Sequence, residues 1–494
     1  MTSLYDPAIL LDSSCFSFFN DSMSESRPFR TTPSTQHKTR PTNAYLLNLP
    51  RLTSMNPANQ EAIMFAAAGT TAMQHPSLTP YPMSKYFSTG LRMQHGQIPG
   101  SIHSSAQLAP AIAAELKGNV IEASIPFIER LFPEIRAPFR IDKKVFAQLD
   151  NQALFDRSKN SFIFPSDCKE ATLCQWLNNI GQAMAEVSGI PLKRRWWYGT
   201  ASLPPGGSDY AYRPDLVLLD QAYYDTLSAS PLNSKPRVNW LLVRSFAEVT
   251  GEKSVPQRMG PTINAKSYVM STYQFDRRFV LALSLVGTSK FSLTLTDREG
   301  QIRFQGTALS DSNRENASIF LKIISFFMFG KLSDIGLDPS FVSDPVTGHL
   351  TAVKVDDRSF QLCERIYTLE NMLGRSTKVW IVASDNERFV MKDSWVHATR
   401  GPSEIEHLKA MLGHEEIKHF VPTIVCGGDV IINGEKDCTG AYRTHVLGGV
   451  HGRRIHRRIV TTPIGEPITN FKSKKELISA LIDTVRGVCF LTLK

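Results

Sequence analysis

Two sets of residues have the types and spacing for chemistry. In the first, Lys392 ends the strand-like run Phe389-Val390-Met391-Lys392, and Glu404 follows twelve positions later in a helical stretch. Gly374 lies in a turn between two strands just upstream. A nucleoside triphosphate needs close backbone approach, which glycine permits, a cation on its phosphates, and a carboxylate to hold that cation. Glu406 competes with Glu404 for the last role, because one helical turn cannot be phased from sequence. In the second set, Pro214-Asp215 opens a strand, and Glu248-Val249-Thr250 closes the next long one, with Glu248 33 positions after Asp215. Two carboxylates on adjacent strands can hold a divalent metal that activates water. Thr250 stands where a lysine would steady that water or a phosphate, and Lys253 falls three residues late. The plain alternatives are a surface lysine at a strand end and a chance spacing of acids.

The elements that must position these residues make an α+β chain. Residues 1–100, rich in Ser, Thr, Pro, Gln and Met, read as a disordered arm with one alanine-rich helix near 59–74. An α/β domain is expected over 105–350. It begins with an amphipathic helical region from Ala106 to Phe132, interrupted at Pro126, and a helix from Glu170 to Val187. Strands follow at Arg213–Leu219, Trp240–Thr250, Phe279–Val286 and Phe291–Gln305, the last folded as a hairpin at Asp297-Arg298-Glu299-Gly300. Helices are expected at Tyr268–Phe275 and Asn316–Phe329. A second unit over 355–494 reads as short strands (Tyr367–Leu373, Val379–Ala383, Arg388–Lys392), a helix from Ser403 to Leu412, further strands, and a C-terminal helix from Lys474. An Asp followed on the neighbouring strand by Glu-x-Lys is the arrangement of restriction-endonuclease-like nucleases. The 105–350 domain is therefore read either as an active or degenerate member of that fold or as an unrelated α/β domain.

Composition excludes several classes. With 42% hydrophobic and 20% charged residues, the chain is neither disordered throughout nor collagen-like. Its longest apolar run, Ile323 to Gly330, is flanked by Lys322 and Lys331 and falls far short of the roughly 20 residues of a bilayer span, so it reads as a buried helix. Asp6 stands where a signal peptide carries a base, and no secretion signal is expected. Seven cysteines without a CxxC pair argue against a disulfide framework or structural zinc, and for an intracellular setting, cytoplasm or nucleus. The net charge of +9 is diffuse. Arg453, Arg454, Arg457 and Arg458, and Lys193-Arg194-Arg195 before Trp196-Trp197, form basic clusters able to contact phosphates and stack bases. The plainer reading of these clusters, a solvated strand face or a nuclear import signal, is preferred. His445, His451 and His456 lack metal-ligand spacing and read as surface residues.

Lys392 continues into Asp393-Ser394-Trp395, and the turn before the second strand reads Gly374-Arg375-Ser376-Thr377-Lys378-Val379-Trp380. Together with the block 451–487, these strings resemble the fungal-type protein kinase family. Arg213-Pro214-Asp215, Phe246-Ala247-Glu248-Val249 and the run 275–285 resemble the domain that precedes the kinase lobe there, so the likeness covers 105–494. It implies a protein-kinase-like small lobe and ATP-dependent phosphotransfer to Ser/Thr of proteins, with ATP and Mg2+ as cofactors. Lys392 would pair with the α/β-phosphates, Glu404 would hold it, Gly374 would sit over the phosphates, and Thr461 to Ile468 would contact adenine through backbone groups. The H-R-D-type loop and D-F-G-type segment do not occur in the sequence, and His456-Arg457-Arg458 has arginine at the aspartate position. The expectation is a truncated, inactive member or pseudokinase, with the large lobe missing and no catalytic aspartate. The competing expectation is a non-catalytic interaction module. On either reading the last helix, with Leu477, Ile478, Leu481, Ile482, Val485 and Val488, would expose an apolar stripe suited to self-association.

Overall fold

The computed structural model describes residues 105–494 apart from 125–127, 168, 190–193, 201–202, 231–236, 252–258, 288–289, 310–311, 400, 442, 444–453 and 493–494. The expected N-terminal arm and its alanine-rich helix lie outside the described residues, as do Pro126, Lys193, Lys253, His445, His451 and Arg453. The architecture is mixed α/β and is built on two seven-stranded sheets.

The first sheet uses α1 (Ser105–Leu116), β1 (Val120–Ala123), α2 (Lys143–Asn151), α3 (Glu170–Ser188), β2 (Arg195–Gly199), β3 (Leu216–Asp220), β4 (Ser245–Thr250), α4 (Met259–Tyr273), β5 (Val280–Val286), β6 (Lys290–Asp297), β7 (Gly300–Ala308) and α5 (Arg314–Phe329). Its strand order is β1-β7-β6-β5-β4-β3-β2. The pairs β2–β3, β3–β4, β5–β6 and β6–β7 are antiparallel, while β4–β5 and β1–β7 are parallel. A parallel neighbour needs a crossover, and α4 supplies it between β4 and β5.

The apolar runs in β3 and β5 follow from burial on both faces. Leu216 and Leu218 of β3 enter one core with α3 and α5, whereas Val217 and Leu219 enter the other with α1 and α4. Leu281, Leu283 and Leu285 of β5 join the first core, and Val280 and Ala282 the second. The apolar run of α5 is buried as expected, with Ile323, Phe326 and Phe327 sealed in the first core. Among the described residues, no helix is long and apolar enough to cross a membrane.

One expected helix is shorter than its periodicity predicts. The apolar spacing runs on through Val120 and Ile121, but α1 ends at Leu116, and these two residues belong to β1. Gly118 takes φ +78, a left-handed conformation that stops the helix, and the next residues complete the sheet edge beside β7.

The second sheet comprises β8 (Phe341–Ser343), β9 (Leu350–Val355), β10 (Arg358–Thr368), β11 (Lys378–Ser384), β12 (Glu387–His397), β13 (Thr423–Asp429) and β14 (Arg454–Thr462), with α6 (Glu404–Leu412) after β12 and α7 (Lys474–Thr492) after β14. The strand order is β8-β9-β10-β11-β12-β14-β13, antiparallel throughout. Asp385 and Asn386 both adopt positive φ, the geometry of a tight hairpin turn, and set the register of β11 on β12. This sheet has a smaller core, centred on Val353, Phe360, Val382, Phe389, Met391 and Val460. The strand expected at Tyr367–Leu373 ends instead at Thr368, and 369–377 form the connection to β11. On α7, Ile478, Leu481, Ile482 and Val485 are exposed.

Candidate functional site

Lys392 sits inside β12, opposite Val379 of β11 on one side and Ile459 of β14 on the other, so ladders on both flanks fix its backbone. α6 starts with Ser403 as its cap. The Ser403 hydroxyl accepts from the Glu406 N–H at 3.1 Å, and the Glu406 carboxylate accepts in return from the Ser403 N–H. That reciprocal cap occupies Glu406. Ile405 and Leu408 face inward, and Glu404 meets the lysine. Lys392 Nζ donates to both carboxylate oxygens of Glu404, at 2.8 and 2.7 Å. Both side chains keep partial contact with solvent, at 18% and 24% exposure. The ambiguity between the two glutamates is thus resolved by capping chemistry.

Gly374, in the connection between β10 and β11, has φ +91, where a side chain would be strained, and its N–H donates to the Arg298 carbonyl at 2.8 Å. The segment 463–468 leaves the end of β14, where Thr461 pairs with Val390, two residues before Lys392.

Asp393, the neighbour of Lys392, is buried and forms the centre of a charged cluster. It lies 2.6 Å from His456 Nε2 and accepts from Arg458 Nε at 2.8 Å. His456 Nδ1 is 3.0 Å from Asp437, and Arg458 also donates to Asp338 at 2.7 Å. Arg278 of the first unit pairs with Asp437 at 2.9 Å. The His456 ring stacks on Trp395 with centroids 4.6 Å apart. Burial opposes charge on His456, but Asp393 and Asp437 outweigh it and raise its pKa to about 9. Burial likewise opposes the Asp393 carboxylate, yet His456 and Arg458 hold its pKa far below the usual range.

This corrects two expectations. His456 is a buried member of an ion network and not a surface residue, because three aspartates from distant segments converge behind β14. Of the basic clusters, Arg194, Arg195 and Arg458 are buried and do not form a solvated face. Arg458 is buried against Asp393 and Asp338, Arg457 pairs with Asp429 at 2.7 Å, and Arg195 donates to the Phe327 and Gly330 carbonyls, both at 2.6 Å. Arg194 lies over the Trp196 ring.

The second candidate set gathers around the ends of β3 and β4. Asp215 Oδ2 accepts from the Val249 N–H at 2.7 Å. Glu170, in the first turn of α3, is bridged to Asp215 by Arg213, at 3.2 and 3.8 Å respectively. Glu248 pairs with Lys266, a buried residue of α4. Burial pushes the Glu248 pKa up to about 7, against the pull of Lys266. Burial and the charge of Asp215 raise that of Glu170. A cavity of about 590 Å³ opens beside them, lined by Glu170, Gly199, Val249 and Thr250 among others. Among the described residues no three His, Cys, Asp or Glu are grouped so that they could hold a metal.

Glu170 and Lys266 are not legible from the strand pattern, since both arrive on helices. The signal for Lys266 was present in sequence, as a lone charge among the buried positions Ile263, Ala265, Tyr268 and Val269.

The class defined by fold and site is therefore a mixed α/β protein that fastens a central-strand lysine to a glutamate on the following helix. The family model for fungal protein kinase matches residues 219–448 and 443–494, more than half of the sequence. The chain belongs to the fungal protein kinase family. No curated protein and no solved structure matches it.

Proposed function

We propose that β10 to β14 with α6 form a kinase-type small lobe that binds ATP with Mg2+. Lys392 would contact the α- and β-phosphates, Glu404 would hold Lys392, Gly374 would lie over the phosphates, and 461–468 would meet the adenine. The observation that carries this reading is the contact of Lys392 Nζ with both oxygens of Glu404. A cation so oriented is what a triphosphate requires. The residues present suit the phosphates, but no carboxylate of this lobe is assigned to Mg2+, and the phosphotransfer step is left without an assigned base.

Thermal denaturation tests the reading. Millimolar ATP with Mg2+ should raise the melting temperature of the wild type through ligand linkage. Lys392→Met should weaken binding by about tenfold or more, equivalent to about 1.4 kcal/mol. Equal shifts in the two proteins, or none in the wild type, would sink the proposal.

A second reading, metal-dependent phosphodiester cleavage at Asp215 and Glu248, is favoured by one observation. Lys266 reaches Glu248 from α4, supplying the lysine that Thr250 does not. Against it, no three potential metal ligands are grouped there among the described residues. On this reading, Mg2+ or Mn2+ supports nicking of supercoiled plasmid, and Asp215→Ala abolishes it. A wild type that leaves the plasmid intact at every metal concentration ends this reading.

A further inference from the structure

The connection that carries Gly374 is fastened to the first sheet. Met372 is buried, at 1% exposure, in the core formed by α1 and α4, among Leu108, Ile112, Tyr268 and Val269. Leu373 packs against the same core, and its N–H donates to Glu115 Oε1 of α1 at 2.7 Å. The Gly374 N–H donates to the carbonyl of Arg298, in the turn between β6 and β7, at 2.8 Å. The Arg298 guanidinium returns two bonds, to the carbonyls of Asn371 and Met372, both at 3.2 Å. Four consecutive residues, 371–374, thus have backbone groups or side chains committed to the upstream unit.

We propose that Glu115 and Arg298 are positioning residues for the nucleotide site, fixing the glycine turn from outside the lobe to which it belongs. A glycine turn free in solution loses conformational entropy when it closes on phosphates. A turn already held in place loses less, and the difference appears as affinity. Glu115 suits this task. It is partly buried, with burial raising its pKa to about 7, and one carboxylate oxygen has no hydrogen-bond partner. Its contact with the Leu373 N–H offsets part of that desolvation. Arg298 is buried and also donates to the Ser271 and Arg277 carbonyls, so the clamp is tied to α4 as well as to the hairpin.

The proposal rests on the nucleotide reading above, and its test separates the two. Amide hydrogen exchange is followed at 371–374 in the full chain without nucleotide, and the affinity for a fluorescent ATP analogue is measured with Mg2+. Glu115→Ala should speed exchange at Leu373 and Gly374 by about tenfold and weaken nucleotide binding by about three- to tenfold. Glu115→Gln keeps an acceptor for the Leu373 N–H and should restore both toward wild type. Met372→Ala, which empties the core socket and leaves the Glu115 side chain unaltered, should reproduce both changes if the alanine variant at 115 does not fold. Unchanged exchange in Glu115→Ala and Met372→Ala overturns the clamp, whatever happens to nucleotide. Faster exchange with unaltered affinity overturns the positioning role. A wild type that binds no analogue while the variants still loosen the turn overturns the nucleotide reading and the positioning role, and leaves the clamp standing.

Discussion

Asp393→Ala lowers the unfolding free energy by about 3–5 kcal/mol, the range found when one partner is removed from a buried ion cluster. The carboxylate is shared by His456 and Arg458 at 2.6 and 2.8 Å, and all three groups are buried. The desolvation cost of His456 and Arg458 is already incurred in the folded state, so the alanine variant keeps that cost and loses the attraction. Asp338 and Asp437 still neutralise part of the two cations, which limits the loss to this range. Asp393→Asn keeps the shape and one acceptor but not the charge, and should fall between alanine and wild type. Urea denaturation checks both variants: the midpoint should drop with an unchanged slope. A midpoint shift in Asp393→Ala corresponding to less than about 1 kcal/mol, the scale of an exposed pair, would contradict this account.

The second large effect concerns His456 and pH. Its ordinary pKa is 6.5 and its folded value is about 9, so the folded state binds the proton more tightly. The stabilisation is complete below pH 6.5, declines as pH rises through 9, and is absent above. Two and a half pKa units correspond to about 3 kcal/mol. The absolute pH curve mixes several groups. Lys378, whose pKa burial lowers to about 7, contributes in the opposite sense above pH 7. The comparison of wild type with His456→Gln isolates the histidine. The wild type's advantage should be larger at pH 6 than at pH 9.5 by about 3 kcal/mol. An advantage independent of pH would mean that His456 is neutral in the fold.

Much of the scaffold was legible in the sequence because local chemistry and tertiary packing agree. Asp297-Arg298-Glu299-Gly300 reads as a turn and is one, between β6 and β7. Ser403 reads as the start of a helix and caps α6. Lys392 and Glu404 were legible as a candidate pair, and only their mutual phase was open. The failures share a cause. His456, Arg458 and Val460 alternate along β14, so period two places them on one face, but hydropathy assigns the charged members to solvent. Their partners Asp338, Asp393 and Asp437 come from three other segments, and nothing along the strand announces them. Lys266 and Glu170 escaped because helices carry them to the acids. Met372 and Leu373 read as strand residues, but the first sheet's core captures them and ends the strand at Thr368.

The short turn between β6 and β7 has a wider consequence. Asp297 holds Arg443 through paired contacts at 3.0 and 2.5 Å, Glu299 accepts from Thr439 at 2.5 Å, and the Arg298 carbonyl takes the Gly374 N–H. Three successive residues at this turn of the first sheet therefore tie it to two later segments, the stretch that holds Thr439 and Arg443 and the connection that carries Gly374. For molecular descent this is a coupling. A change at any of the three must be matched by a change more than 70 positions away, and recombination that exchanged one sheet for a foreign one would orphan buried charges on both sides. The two sheets are therefore expected to be inherited together, the lysine strand with its upstream neighbour.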